Sequence, residues 1–457
     1  MTERYSKPIA NLVIINIMTN HSRRRLLKLG ASGLIASLAG CAGSPGGERS
    51  ADSAPGFSPW PFPHRTKTRA NATPDAAPEG DLQPQWTVGP DGFKPDVIAT
   101  PLVTSEAVYG PTPDAIVGAS RQDGSQLFIS DYDTSGAMFV DNEVIVTHPE
   151  KDARLLGLQT TDGKRAWFSP LPGATDQTYA QLRLYPVDDR LFYITELKTD
   201  NIEGTGAEFG VVSLEDRSQR WRERIRTESG DTLIVGGVAD SSATRVFIAR
   251  VERNKFDIPK EDAQPTVEAY DLDSGERHWR RDMHARPLAA HDGRLFAGLP
   301  HDGVISALNL DGIVALETDT GEEVWRRTGG ASRVYRRTLQ NGLAADSDGL
   351  YIPQKQGLSS LDPTDGATQW QYPTPEPVVT KPAAAANAVV VGSRPRLHVV
   401  SKSDGTQLAT RQLEFPRSLG GLTGHVAVAG GVIFVGMSQG LRAYASNSNS
   451  DSDSDSN

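Results

Sequence analysis

The chain has 457 residues, 37% of them hydrophobic, with 44 glycines and 30 prolines, a turn-rich composition that suits an all-β protein better than a helical one. Its 47 basic and 57 acidic side chains give a net charge of −10, and without the first 41 residues (six basic, one acidic) the remainder carries −15. That excess argues against affinity for nucleic acid or acidic lipid in general, and a single cysteine, Cys41, excludes an intramolecular disulfide or a multi-cysteine metal site.

In chain order the first element is an address, residues 1–41. SRRRLLKLG (Ser22–Gly30) precedes the apolar run ASGLIASLAGC that ends at Cys41. A basic start, a short apolar segment and small residues before a cut follow the grammar of a secretory signal. The run is shorter than the roughly 20 residues that span a bilayer. Arg23 and Arg24 sit in a twin-arginine export motif. Leu38-Ala39-Gly40-Cys41 matches a lipobox, in which the cysteine thiol is lipidated. Met18 is a more natural start than Met1, because MTERYSKPIANLVIINI does not fit this grammar. The expectation is a protein exported folded and held on the outer face of the cytoplasmic membrane by a lipid on Cys41. Residues 42–80, rich in Gly, Ser, Pro, Ala and charge, read as a flexible linker.

Residues 81–445 are a repeat. ALETDTGEEVW (Ala315–Trp325) recurs as AYDLDSGERHW (Ala269–Trp279), SLDPTDGATQW (Ser360–Trp370) and GLQTTDGKRAW (Gly157–Trp167). Aligned on the turn glycines Gly124, Gly163, Gly275, Gly321, Gly366 and Gly405, the residue four later is Phe128, Trp167, Trp279, Trp325, Trp370 and Ala409. Trp221, in SLEDRSQRW, joins the series with its glycine missing and its turn read as shortened by two residues, and Trp86 has no hairpin before it. Along Trp86, 128, 167, 221, 279, 325, 370 and 409 the spacings are 42, 39, 54, 58, 46, 45 and 39. One four-stranded propeller blade needs roughly 40–45 residues. Short apolar strands such as Arg294–Gly298 and Val432–Gly436 fill each interval. The strands ending at Leu441–Ala445 lack a tryptophan strand, and Trp86 lacks three partners. Joined, they complete an eight-bladed all-β ring and remove its open edge.

Each position of the unit has a structural task. Asp or Thr before the glycine accepts N–H groups in the turn, and glycine takes φ > 0 cheaply. The tryptophan can bury on the order of 200 Å² against the next blade. A small residue ten positions earlier (Ala315, Ala269, Ser360, Gly157) leaves room for the ring. This is a docking device that needs no ligand.

The long spacings place insertions at Glu196–Gly210 and Arg250–Thr266, between the second and third strands of blades 3 and 4 and so on one rim. Lys198, Glu203, Lys255 and Lys260 are candidate partner-binding residues there. His284, His291 and His301 lie close in sequence, but HDG is an ordinary turn and no metal ligands are assigned. The basic runs Arg220–Arg226 and Trp325–Arg337 read as solvated arginines paired with acids. No phosphate loop, nucleophile elbow or HExxH helix is present, so no catalytic or cofactor-binding residue is assigned. Residues 446–457, SNSNSDSDSDSN, read as a disordered acidic tail.

From Trp86 to Ala445 the pattern A-x-D-x-x-T-G-x-x-x-W resembles the tryptophan-docking repeat of the pyrroloquinoline quinone (PQQ) propeller superfamily. Ser58–Pro74 resembles the Trp-Pro segment before the first blade in archaeal members. An acidic chain with only 12 lysines among 47 basic residues also resembles proteins of salt-loving archaea. The resemblance implies either a quinoprotein alcohol dehydrogenase holding PQQ and calcium or a cofactor-free scaffold lipoprotein. The enzyme branch typically stacks a vicinal disulfide on PQQ, which a chain with one cysteine cannot make. The expectation is a monomeric, lipid-anchored, protein-binding propeller without catalysis. The alternatives are the dehydrogenase and a propeller binding carbohydrate or another small solute in its channel.

Overall fold

A computed structural model describes residues 57–447 except 64–65, 90–99, 113–114, 131, 133–135, 141–142, 149–153, 171–177, 199–205, 226–230, 254–264, 301–309, 329–341, 355, 394, 414–424 and 438–439. Its described elements are strands, in eight four-stranded antiparallel sheets. Seven sheets are built from consecutive strands, at 102–130, 136–170, 178–225, 231–282, 286–328, 344–373 and 383–412, here blades 1 to 7. In blade 8, Leu82–Val88 is added to the strands Val426–Ala429, Val432–Met437 and Gly440–Ser446. It pairs antiparallel with the last of them, from Leu82↔Ser446 to Val88↔Leu441.

Burial follows strand position. In blade 7 the second strand, Ala388–Gly392, is wholly buried, while the fourth, Gln407–Gln412, alternates between exposed and buried. First strands of neighbouring blades contact one another and so surround the axis. One apolar cluster joins blades 7, 8 and 1, through Val390, Val399, Phe434, Trp86, Val108 and Val117.

Blades 3 and 4 absorb much of their extra sequence as longer strands. Blade 3 has strands Thr178–Val187, Arg190–Lys198 and Gly206–Ser213, and blade 4 has Asp231–Ala239 and Arg245–Arg253. Residues 196–198, 206–210 and 250–253, expected in loops, are paired strand. A hairpin lengthened on both arms keeps its backbone groups bonded, which an irregular insertion does not.

The described residues of the expected linker, from Phe57, are packed and hydrogen-bonded rather than solvated. Trp60, Ala70, Asn71 and Asp75 are buried, and the segment bonds to one blade after another. Trp60 exchanges backbone hydrogen bonds with Val103 of blade 1, and Phe139 N–H of blade 2 donates to Pro61 O. Lys67 Nζ reaches Asp188 of blade 3 at 2.7 Å. The N–H groups of Ala239, Ala290 and Ala345, on the first strands of blades 4, 5 and 6, donate to the carbonyls of Lys67, Thr68 and Ala70. Ala384 N–H of blade 7 donates to Asn71 O. The Asp75 carboxylate accepts Gly430 N–H of blade 8 at 2.6 Å and Ser58 N–H at 2.8 Å, which ties the circuit to its own start. The segment is a belt within the ring, satisfying the inner edges of first strands where they turn into second strands.

Candidate functional site

The repeat residues build the blade-to-blade joints. Gly124, Gly163, Gly275, Gly321, Gly366 and Gly405 have φ between 65° and 75°. The residue before each accepts the N–H two positions on, as in Asp365 to Ala367 at 2.8 Å and Thr320 to Glu322 at 3.1 Å. Glycine is required for a second reason. A Cβ on Gly321 would stand 2.7 Å from the Trp279 ring, and one on Gly366 2.7 Å from Trp325. Trp221 lies in the same way on Gly275, and Trp370 on Gly405. Each indole N–H donates to the carbonyl three residues before that glycine: Trp221 to Leu272, Trp279 to Thr318, Trp325 to Pro363 and Trp370 to Lys402, at 2.7–3.0 Å. Trp86 does the same to Arg121. The small residue ten positions earlier faces the ring across the hairpin, as in Ala315↔Trp325 and Ser360↔Trp370.

Trp167 breaks the pattern, and the turn of SLEDRSQRW explains why. That turn is not shortened: Ser213 N–H donates to Ser218 O as Gln159 N–H does to Lys164 O, and Arg217 stands in the glycine's place at φ 60°. The Arg217 side chain occupies the seat a ring would take, with its guanidinium 4.0 Å over the Trp167 ring. Trp167 instead lies back over Gly157, where a Cβ would overlap it, and its N–H donates to Glu143 of its own blade.

Inside the ring the belt brings cations together. Arg69, at φ 56°, donates through a guanidinium N–H to Gly237 O at 3.3 Å and lies 5.7 Å from the Tyr185 ring. Arg183 donates to Ile234 O at 3.3 Å. The first strand of blade 4 bulges between them, with Gly236 at φ 77°. A Cβ on Gly236 would come within 3.5 Å of Arg286 Cγ, and one on Gly237 within 2.7 Å of Tyr185. The guanidiniums of belt, blade 3 and blade 5 thus gather along Ile234–Gly237. Lys381 Nζ donates to Pro63 O of the belt at 3.1 Å. Burial, opposed by Tyr185 and helped by the like charge of Arg183, pulls Arg69 below the usual guanidinium range. Burial first, then Arg69, brings Arg286 down to about 10. Burial and Arg69 lower Lys381, and burial and Lys381 lower His425. Sequence reading assigned none of these residues. The available signal was a basic residue inside an apolar first strand, as in LRLYPV and ARPLAA.

Other expected positions are plainer. Lys198 ends the second strand of blade 3; Glu203, Lys255, Lys260, His301, Cys41, Arg23 and Arg24 lie outside the described residues. Of the basic runs, Arg224 pairs with Glu208, Arg220 with Asp189 and Asp273, and Arg326 with Glu323. His284 precedes the first strand of blade 5 and His291 ends it, and no three His, Cys, Asp or Glu among the described residues are placed to share a metal ion. A PQQ–calcium site needs several oxygen ligands converging on the cation. The described residues offer cations that suit carboxylates but no such ligand set, and so do not fit that pair.

Residues 263–454 match the family model described as outer membrane protein assembly factor BamB. No curated protein matches the chain. Among solved structures, the quinohemoprotein alcohol dehydrogenase of Comamonas testosteroni superposes with a TM-score of 0.59 at 13% identity, covering 84% of this chain and 80% of that one. BamB of Moraxella catarrhalis gives 0.51 at 14%, covering 81% and 99%. A europium-containing methanol dehydrogenase gives 0.54 at 11%, covering 82% and 89%. Eight four-stranded blades with tryptophans seated on the next turn make this chain a β-propeller, and its repeats from residue 263 onward are similar to those of the PQQ-like repeat family.

Proposed function

We propose that the chain is a lipid-anchored propeller outside the cytoplasmic membrane that binds a partner protein and performs no catalysis. The observation that carries this reading is the single cysteine. Cys41 ends the signal-like segment, so the anchor uses the one thiol and none is left to form a disulfide against a quinone. The family match to an assembly factor supports a protein-binding role. The extended hairpins of blades 3 and 4, with Lys198, Glu203, Lys255 and Lys260, are the proposed contact surface, because connections on a strand scaffold are where recognition concentrates.

The test is capture from native membranes with the full chain as bait. Recovery of a stoichiometric partner, weakened by Lys198→Glu with Lys255→Glu, is the expected result. Stoichiometric uptake of PQQ with Ca²⁺ and dye-linked alcohol oxidation would overturn the non-catalytic reading. Cys41→Ser is expected to release the protein from membranes, and retention would refute the anchor.

A further inference from the structure

We propose that the outer strands of blades 1 and 2 rest on the lipid bilayer through Leu127, Ile129 and Phe168. The contact depends on the lipid anchor argued above and goes beyond it, since it fixes which side of the ring meets the membrane.

Leu127, Ile129 and Phe168 are the exposed large hydrophobic side chains among the described residues, at 43%, 37% and 50%. They stand on the fourth strands of two neighbouring blades, Gln126–Ser130 and Arg165–Pro170. Successive residues of a strand face opposite ways, so the position after each repeat tryptophan or its equivalent points away from the joint. It is exposed and polar in blades 3 to 8, as Arg222, Arg280, Arg326, Gln371, Thr410 and Thr87, but apolar in blades 1 and 2, as Ile129 and Phe168. Outer strands are edges that proteins ordinarily guard with charge or proline, and Gln126–Ser130 (QLFIS) has neither. The fourth strands of blades 3, 4 and 5 each carry an acid, Glu223, Asp282 and Glu323, whereas those of blades 1 and 2 carry none.

The path of the chain places lipid beside this edge. Phe57, the first described residue of the belt, packs where blades 8 and 1 meet: a Cβ on Gly430 would stand 3.0 Å from its ring, and the Arg121 guanidinium lies 4.5 Å over it. Arg121 opens the turn that leads into Gln126. Phe57 lies sixteen positions after Cys41 (57 − 41), at most about 55 Å of chain, so the anchor holds the ring from the side of Leu127 and Ile129. Three partly exposed side chains fall far short of the ~800 Å² per partner that a stable dimer buries, whereas a ring already anchored needs only a weak contact to fix its tilt. Arg165, 5.8 Å from the Phe168 ring, adds a cation suited to the headgroup layer. The turn carboxylates nearby are engaged, Asp123 by Ser125 N–H and Asp162 by Lys164. An edge-on ring keeps both of its faces in solvent, which leaves the rim accessible to a partner.

The full lipidated chain, purified in detergent and reconstituted into phosphatidylcholine vesicles, tests this. Lipidation uses Cys41, so Ile129→Cys, Phe168→Cys and Gln371→Cys each offer one thiol for an environment-sensitive fluorophore, the last on blade 6 across the ring. All three proteins are expected to float with the vesicles. Labels at 129 and 168 should shift to the blue and be quenched by spin-labelled lipid about twofold or more beyond the label at 371. Leu127→Asp with Ile129→Asp should lower the quenching at 168 while flotation persists. Equal quenching at all three positions, with flotation intact, overturns the proposal and leaves the anchor standing. Loss of flotation refutes the anchor and this contact with it. A blue shift that needs no vesicles and grows with protein concentration assigns the surface to a second copy and equally overturns the proposal. If Ile129→Cys does not fold, Leu127→Cys on the same face takes its place.

Discussion

The seat of Trp167 allows a coupled prediction. In the regular joints a tryptophan rests on the next turn's glycine and donates to the carbonyl three residues before it. Arg217 denies Trp167 that seat, and Gly157 accepts the displaced ring. Gly157→Ala in the native background puts a methyl into the ring, an overpacking worth about 1–3 kcal/mol. Arg217→Gly alone relieves a left-handed arginine, worth about 1 kcal/mol. It also loses the cation stacked on the indole, worth about 0.5–1 kcal/mol, so it is expected to be nearly neutral. In the double variant the ring can move onto residue 217 and donate to Leu214 O, three residues earlier, so most of the Gly157→Ala loss should return. Urea unfolding followed by tryptophan fluorescence measures all four corners of the cycle. A coupling of about 1–2 kcal/mol is expected. If the two changes add within about 0.5 kcal/mol, Arg217 is not what displaces Trp167.

Trp325→Ala should destabilise by about 3–5 kcal/mol, since it empties a seat between blades 5 and 6 and leaves the Pro363 carbonyl without its donor; an unfolding midpoint shifted no more than that of an exposed substitution would refute the joint. His398 is buried between Tyr372 and Ser393, at 3.0 and 2.8 Å, and burial holds its imidazole down at about 4 against 6.5. The unfolded chain therefore binds the extra proton between those values, so stability should fall as pH drops from about 6.5 to 4, and His398→Asn should flatten that slope in midpoint-versus-pH measurements. Asp75→Ala strips the acceptor from Ser58 and Gly430 N–H, at about 1–3 kcal/mol for the orphaned groups. Limited proteolysis should then cut within 57–80 first, and an unchanged cleavage pattern would show that Asp75 does not hold the belt.

What could be read in the sequence follows from how far apart the interacting residues are. Gly321, Thr320 and Trp325 act within one hairpin, so period, turn chemistry and spacing reveal blade count and joint together. Arg217 hid its role because a helper residue at φ 60° does not look like a turn glycine, and the hairpin seemed short by two. The cations of the channel were invisible for a different reason. Arg69, Arg183, Arg286 and Lys381 are separated by 95 or more residues at each step, and only the closed ring brings them together.

The belt shows the same limit most clearly. Residues 57–80 have no period, because their partners are backbone edges presented one blade at a time by the whole circle. Ala70, Ala72 and Ala77 are small because the space inside the ring is narrow, yet small residues with proline and charge also describe a solvated linker. Composition cannot separate the two, since both lack a hydrophobic face of their own. The difference lies in the inner strand edges, whose N–H groups at Ala239, Ala290, Ala345 and Ala384 must find acceptors somewhere. These donors are aligned only after neighbouring blades have docked, so the belt must order late, on a ring whose tryptophan joints are already made. Joint variants such as Trp325→Ala should therefore loosen residues 57–80 as well as their own blades, and hydrogen exchange at Ala345 N–H would report it. Protection there equal to that of the native chain would mean that the belt forms independently of the joints.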